Sequence, residues 1–166
     1  QKFLQTMVSI TSRVTCRFAG LSKLLFFTGL LIIAGCGKED DITYSNTPVI
    51  GLVSISQDTI RQYEDVLSIR ISYKDGDGDI GFEDPEQYAL YVRDIRLEAF
   101  DGFYVGPLAP PDAQVPIQGE LNIEFPSLFL FGNGAVEQTR FEIKMIDRAG
   151  NESNLIETDF VAITRE

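Results

Sequence analysis

Residues 66–81 read VLSIRISYKDGDGDIG, and this stretch decides the fold. In its first half apolar residues alternate with polar ones, so that Leu67, Ile69, Ile71 and Tyr73 share one face. Strict alternation of this kind predicts a β-strand with one buried and one solvated face, which is typical of antiparallel sheets.

The same short alternation recurs along the chain, with almost no helical period. The predicted strands cover residues 49–56, 66–73, 88–100, 117–125, 139–146 and 155–163, with a short edge strand around 103–105. About seven strands at this spacing predict an all-β fold, an antiparallel sandwich of two sheets that covers residues 48–166.

Residues 145–154 read MIDRAGNESN. This segment resembles the last hairpin of bacterial immunoglobulin-like domains, which often end in a strand, an Asp and an Ala-Gly-Asn turn. The resemblance implies an immunoglobulin-like β-sandwich over roughly residues 48–163. In that strand order the loop that begins at Asp75 and the loop that begins at Asp147 lie at the same pole.

The second half of the opening stretch carries three carboxylates at alternate positions, separated by glycines. Like charges this close repel, so a cation between them would stabilise the loop. Hard oxygen ligands on a Gly-rich loop suit Ca²⁺, which takes 6–8 oxygens in permissive geometry. The predicted calcium ligands are Asp75, Asp77, Asp79 and Asp147, with Glu83, Asp84 or Glu86 closing the site. The alternative is a solvated turn in which the Asp side chains bond their own backbone.

The loop also matches part of an EF-hand. Asp75, Asp77, Asp79 and Glu86 occupy positions 1, 3, 5 and 12, but Ile80 stands where that family requires Gly. An EF-hand proper is therefore not expected. The match supports only coordination of the ion by carboxylate oxygens of the loop.

A second group of residues is apolar and aromatic. Its predicted partner-binding members are Phe103, Tyr104, Leu128, Phe129 and Phe131. Four consecutive apolar residues at 128–131 cannot all face one core from a strand, because successive side chains alternate. We expect this group at the pole opposite the acidic loop, either as a docking surface for a partner or as a buried plug that closes the sandwich.

Residues 1–35 have the pattern of a signal peptide: basic residues, then an apolar run at 24–33, then small residues. The sequence at 33–36 resembles the lipobox of bacterial lipoproteins. That resemblance implies cleavage before Cys36 and a covalent lipid on Cys36, which anchors the chain to a membrane. Residues 36–47 are then the lipidated Cys and a flexible, acidic linker.

The residues after Cys36 begin with Gly37-Lys38-Glu39-Asp40-Asp41. A Lys followed by acidic residues resembles the export signal of surface lipoproteins in the Bacteroidota. The resemblance implies the outer membrane as location, lipid-anchored and displayed on the cell surface. The alternative is a solvated linker that faces the periplasm.

Composition excludes several classes of function. The formal net charge is −11, which argues against nucleic acid as a partner because phosphate binding needs a basic face. The chain has no His, no nucleophile motif and no phosphate-cradling loop, so we expect no enzymatic activity. The expected function is an accessory lipoprotein that docks onto a membrane protein complex. The alternative is a calcium-stabilised surface module that binds a glycan or a host protein.

Overall fold

The computed structural model describes residues 43–165. The predicted signal peptide, Cys36 and the first part of the linker lie outside the described residues. Ten strands form the fold: β1 Val49–Ile55, β2 Thr59–Arg61, β3 Leu67–Asp75, β4 Leu90–Asp94, β5 Asp101–Phe103, β6 Ile117–Phe125, β7 Val136–Thr139, β8 Phe141–Met145, β9 Ile156–Glu157 and β10 Val161–Thr164. Residues 43–165 contain no helix with the length and hydrophobicity needed to cross a bilayer.

The strands form three sheets, with the orders β1-β3-β6, β5-β4-β8-β9 and β2-β10-β7. Every pairing is antiparallel except that of β2 with β10, which is parallel. Arg140 alone separates β7 from β8, so the chain passes directly from the sheet β2-β10-β7 into the four-stranded sheet. These two sheets therefore continue one another on one side of the core.

One hydrophobic core holds the sheets together. Ile69 and Ile71 of β3 are fully buried, as are Ile143 of β8 and Ile163 of β10, and all four belong to the same cluster. Burying a side chain of this size stabilises a fold by about 1.5–3 kcal/mol. Because strands from opposite layers share this core, the domain is an all-β sandwich, as the sequence predicts. The assignment to the immunoglobulin-like family stays a prediction.

Several predicted strands are interrupted. The strand predicted over 88–100 ends at Asp94, because its carboxylate and carbonyl accept hydrogen bonds from the backbone N–H groups of Arg96 and Leu97. The strand predicted over 155–163 is divided into β9 and β10. The predicted connection before β3 contains β2, whose Ile60 is fully buried. Residues 43–165 therefore contain ten strands, whereas the alternation predicts about seven.

The opposing ends of β3 define the two poles of the sandwich. Asp75 pairs with Ile117, whereas Leu67, at the other end, pairs with Phe125. Nine residues separate the poles by about 26 Å, at roughly 3.3 Å per residue step. We call the end at Asp75 the acidic pole.

Candidate metal centre

Three carboxylates meet at the acidic pole. Asp75 is the last residue of β3, Asp79 follows in the loop, and Asp147 follows β8. One carboxylate oxygen from each lies within 4.8 Å of the others. The prediction that these two loops share a pole is therefore confirmed, and this group of three could hold a metal ion.

The acidic loop turns back on itself at glycines. Gly78 and Gly81 have φ angles of 74° and 89°, a region that favours Gly because it has no Cβ. Within the turn, the backbone N–H of Asp79 donates to Asp75 Oδ2 at 3.0 Å. This hydrogen bond brings the two carboxyl groups to the same side of the loop.

A second set of hydrogen bonds joins the acidic loop to the turn after β8. Asp79 Oδ2 accepts from the backbone N–H of Ala149 at 3.0 Å, and the Asp79 carbonyl accepts from the N–H of Arg148 at 3.2 Å. The Arg148 guanidinium also donates to the Gly81 carbonyl at 2.9 Å. The two loops are therefore held in register.

Asp147 is positioned by the turn that it begins. Its Oδ1 accepts from the backbone N–H of Asn151 at 2.7 Å, and its Oδ2 accepts from the Asn151 side-chain amide at 2.8 Å. Asp147 is only 1% exposed. These neutral donors fix the orientation of the carboxylate without neutralising its charge.

Three carboxylate oxygens at this pole are buried without a hydrogen-bond partner in the described part of the chain. They are the Oδ1 atoms of Asp75, Asp77 and Asp79. Asp75 has no exposed surface at all. A buried carboxylate oxygen that has lost water and gained no partner is destabilising unless a cation or a proton compensates it.

The pKa values at the site reflect this shortage of positive charge. Burial raises the pKa of Asp75 to about 6, and the charges of Asp77 and Asp79 add to the rise. Burial also raises the pKa of Asp79, with further contributions from the charges of Asp147 and Asp77. These carboxylates therefore favour a bound cation or a bound proton.

The residues predicted to close the site lie outside the group of three carboxylates. Glu83, Asp84 and Glu86 are all exposed, and none joins the group of three. Asp84 instead accepts from the backbone N–H of Glu86 at 2.9 Å, in a local turn that contains Pro85. Among the described residues, the group that could hold a metal ion is therefore Asp75, Asp79 and Asp147. Asp77 has a buried oxygen without a partner but does not belong to this group.

The predicted aromatic group is divided between two places. The carbonyl of Val105 accepts from the N–H of Phe82 at 2.9 Å, and the N–H of Leu108 donates to the carbonyl of Ile80 at 3.1 Å. The segment that follows Phe103 and Tyr104 therefore runs along the acidic loop. The expectation that the whole group lies at the opposite pole is therefore wrong, because backbone hydrogen bonds pair residues 105–108 with residues 80–82. The Phe103 ring still contacts Phe125, at the far end of β6, with a centroid distance of 6.1 Å.

Residues 128–131 do lie at the opposite end, where β6 ends. Leu130 is buried and Leu128 packs against the core, so part of the segment is a plug. The Phe129 ring stacks on Tyr63 with a centroid distance of 5.7 Å, and the Phe131 ring contacts the Phe129 edge at 5.3 Å. We call Tyr63, Phe129 and Phe131 the aromatic cluster.

A mostly buried arginine, Arg96, contacts this cluster, and the sequence analysis does not single it out. Arg96 pairs with Asp94 at 2.6 Å and Glu137 at 3.0 Å, and it donates to the Phe129 carbonyl at 3.0 Å. Its guanidinium also lies 4.1 Å from the Phe131 ring centroid. Only the Asp-x-Arg spacing at 94–96 hinted at this network.

The linker was also expected to be flexible up to residue 47, but its last residues contact the domain. The N–H of Gly76 donates to the Ser45 carbonyl at 2.8 Å, and the Tyr44 hydroxyl pairs with Gln118 at 2.9 Å. We call residues 44–47 the strap. The folded domain therefore begins before the predicted boundary at residue 48.

No protein-family model, curated protein or solved structure matches the chain. The functional argument therefore rests on the chemistry of the site and on the sequence.

Proposed function

We propose that this chain is a lipid-anchored outer-membrane protein whose β-sandwich domain binds one structural Ca²⁺ ion at the acidic pole. The domain itself is non-catalytic and docks onto a membrane protein complex. The observation that carries the calcium site is the set of buried, unpartnered oxygens on Asp75, Asp77 and Asp79. Two of these residues, Asp75 and Asp79, also belong to the group of three carboxylates that could hold one ion, so a cation there would compensate both.

The donor set favours Ca²⁺ over other metals. Every candidate ligand atom is a carboxylate oxygen, and the chain has no His and no Cys after Cys36. Soft or borderline metals prefer sulfur and imidazole, whereas Ca²⁺ prefers oxygen. Mg²⁺ demands near-ideal octahedral geometry and keeps its waters. A Gly-rich loop with carboxylates at alternate positions is better suited to the larger, more permissive ion.

The role assigned to this ion is to hold two loops together. Asp75 and Asp79 belong to the β3–β4 loop, and Asp147 belongs to the turn after β8. Their carboxylates repel one another in the metal-free protein. Neutralising these charges would fix the two loops relative to each other. A dissociation constant of about 10⁻⁴–10⁻³ M, the range of extracellular modules, is low enough for the site to be filled outside a cell.

The solvent exposure of two rings in the aromatic cluster supports docking through it. Tyr63 is 64% exposed and Phe131 is 48% exposed, at the pole opposite the metal ligands. Tyr63 also has a φ angle of 63°, an unfavourable conformation for a non-Gly residue that is often found at functional sites. The lipid on Cys36 would hold the domain at the membrane, on the cell-surface side or the periplasmic side.

A second candidate function is a calcium-stabilised surface module for a glycan or host protein. It is favoured by Tyr88 and Tyr104, which are 44% and 38% exposed. Both flank the segment that packs along the acidic loop, and exposed aromatic rings can stack on sugars. Binding to a glycan array, lost on replacing both Tyr residues by Ala, would favour this candidate.

Two measurements test the main proposal. Isothermal titration of the full chain with CaCl₂ after treatment with EDTA tests the metal site, and the Asp77→Asn/Asp79→Asn variant must lose the binding. Mild detergent extraction followed by affinity purification tests the docking role. A membrane protein that co-purifies with wild type but not with Phe131→Ser supports it, and identical co-purification contradicts it.

A further inference from the structure

The strap lies directly on the proposed metal loop. Gly76, whose N–H donates to the Ser45 carbonyl at 2.8 Å, stands between Asp75 and Asp77 in the sequence. Both of these neighbours carry an unpartnered buried oxygen. A change in the backbone of the loop between these two residues would therefore move the group that holds the strap.

Gly76 is also the place where the strap comes closest to the loop. A Cβ at this position would lie 2.5 Å from the Tyr44 carbonyl oxygen and 2.8 Å from Asn46 Oδ1. The nearest atoms all belong to the strap. The φ angle of Gly76 is not among the positive ones, so Gly is needed here for the close approach of the strap rather than for the turn.

The strap reaches the second metal loop through Asn151. The Asn151 side-chain amide donates to Asp147 Oδ2 at 2.8 Å and makes a longer contact of 3.5 Å with the Asn46 carbonyl. Asn151 therefore links a candidate metal ligand to the strap. The strap contacts both loops that the ion would join.

The beginning of the strap is held on the ends of two strands. The Tyr44 hydroxyl donates to Gln118 Oε1 of β6 at 2.9 Å, and the Lys74 ammonium of β3 lies 5.6 Å from the Tyr44 ring centroid. These contacts are exposed and individually weak, since cation–π pairs at such sites contribute about 0.5–1 kcal/mol. Firm docking of the strap therefore depends on the order of the acidic loop.

We propose that Ca²⁺ at the acidic pole and docking of the strap are coupled, so that calcium sets how closely the domain is held to its N-terminal anchor. This inference rests on the proposed metal site and the lipid on Cys36. With the strap docked, eight residue steps from Cys36 to Tyr44 reach at most about 26–29 Å. Release of residues 44–47 adds about 13–14 Å at the same rise. Calcium would therefore shorten the tether and turn the acidic pole towards the membrane.

Coupling of this kind is reciprocal. If Ca²⁺ strengthens docking of the strap, a variant with a weakened strap must bind Ca²⁺ more weakly by the same factor. Gly76→Ala brings a Cβ against the strap and removes no carboxylate of the site. Gly134→Ala is the matched control, because the nearest atom to its new Cβ would be 3.6 Å away, an ordinary contact.

The test is hydrogen–deuterium exchange of the full chain, read by mass spectrometry on the peptide that contains the strap, with EDTA or with CaCl₂. We expect Ca²⁺ to slow exchange in the strap of wild type and of Gly134→Ala. We expect Gly76→Ala to lose this protection and to bind Ca²⁺ at least about fivefold more weakly in calorimetry. Tyr44→Ala, which leaves the loop untouched, should weaken both effects in the same direction.

The outcomes separate the coupling from the metal site itself. If wild type binds Ca²⁺ with unchanged exchange in the strap, the coupling is overturned and the metal site stands. If Gly76→Ala binds Ca²⁺ like wild type, the coupling is also overturned. If wild type does not bind Ca²⁺, the proposed function fails, and the coupling fails with it.

Discussion

The backbone N–H of Asp79 donates to Asp75 Oδ2 at 3.0 Å, while the Oδ1 atom of each residue is buried without a partner in the described structure. The turn thus orients the Asp75 carboxylate, the N–H of Ala149 orients that of Asp79, and each carboxylate keeps one oxygen without a partner. Asp147 completes the group from a turn that lies 68 residues beyond Asp79 in the sequence and closes against it through Ala149. Each local interaction positions the oxygens, and none supplies positive charge between them.

Removing two of the carboxylates should abolish the response to calcium. The Asp77→Asn/Asp79→Asn variant keeps the size of both side chains. The amide oxygen at position 79 can still accept the hydrogen bond from the N–H of Ala149. We expect no change in melting temperature on adding Ca²⁺, and a higher melting temperature than wild type in EDTA because repulsion is relieved. The readout is thermal unfolding followed by circular dichroism.

The control for this variant is Glu83→Gln/Glu86→Gln. It removes the same amount of charge from the same loop, at side chains that are exposed and outside the cluster. We expect it to respond to Ca²⁺ like wild type. Equal loss of the response in both variants would indicate non-specific attraction of the ion by the acidic surface.

The pKa of Asp75 predicts how stability depends on pH. In the metal-free folded state this pKa is about 6, above the ordinary value of 3.8, so the folded protein binds a proton more tightly than the unfolded chain. The free energy of unfolding in EDTA should fall as pH rises from about 4 to about 6, by up to about 1.4 kcal/mol per unit of pKa shift. Urea unfolding at several pH values measures this free energy. A free energy of unfolding that rises between about pH 4 and about pH 6 would contradict a raised pKa of Asp75.

Protons and calcium should also compete at this site. Because Asp75 must be deprotonated to bind a cation, the apparent affinity for Ca²⁺ should fall below pH 6, by up to about tenfold per pH unit for one proton. Calorimetric titrations at pH 5 and pH 7 in matched ionic strength measure this effect. Equal affinity at both pH values would exclude Asp75 from the ligand set.

Arg96 should be a large contributor to stability. Arg96→Ala leaves Asp94, itself buried, without its cation and removes the group beneath Phe131. Breaking a buried ion pair by removing one partner costs about 3–5 kcal/mol. Arg70→Ala is the control, since the pair of Arg70 with Glu120 is exposed and 3.9 Å long, and surface pairs contribute about 0–1 kcal/mol. Equal urea midpoints for the two variants would contradict the role of Arg96.

The aromatic cluster should be needed for docking but only partly for folding. Phe131→Ser removes a half-exposed ring, so we expect a folded domain that no longer co-purifies with its partner. Phe129→Ser removes a ring that contacts both Tyr63 and Phe131, so we expect a loss of stability as well. Leu155→Ser, also half exposed, is the control and should retain the partner. Loss of the partner in all three variants would contradict a specific surface.

The parts of the fold that depend on alternation were predictable from the sequence. Leu67, Ile69 and Ile71 are buried as their spacing predicts, and β6 has the predicted bounds. The meeting of Asp75 with Asp147 was also predictable, because it follows from the order of the strands. These features depend on side chains whose burial the local pattern determines.

The parts that depend on backbone hydrogen bonds between distant loops were not predictable. Nothing in the sequence indicates that the carbonyl of Val105 accepts from Phe82, yet this bond places the residues that follow Tyr104 beside the acidic loop. The strap was missed for the same reason, because Ser45 contacts Gly76 through backbone atoms alone. The local turn in which Asp84 accepts from the backbone N–H of Glu86 was likewise not predicted.

The most direct test of the calcium site is thermal unfolding of the full chain in EDTA, in Ca²⁺ and in Mg²⁺ at equal concentration. A ligand that binds only the folded state stabilises it by RT ln(1 + [L]/Kd), which is about 1.4 kcal/mol at tenfold excess over Kd. The account predicts a rise in melting temperature with Ca²⁺ that exceeds the rise with Mg²⁺ and disappears in Asp77→Asn/Asp79→Asn. An unchanged melting temperature at millimolar Ca²⁺ would contradict the site and reduce the acidic loop to a charged turn.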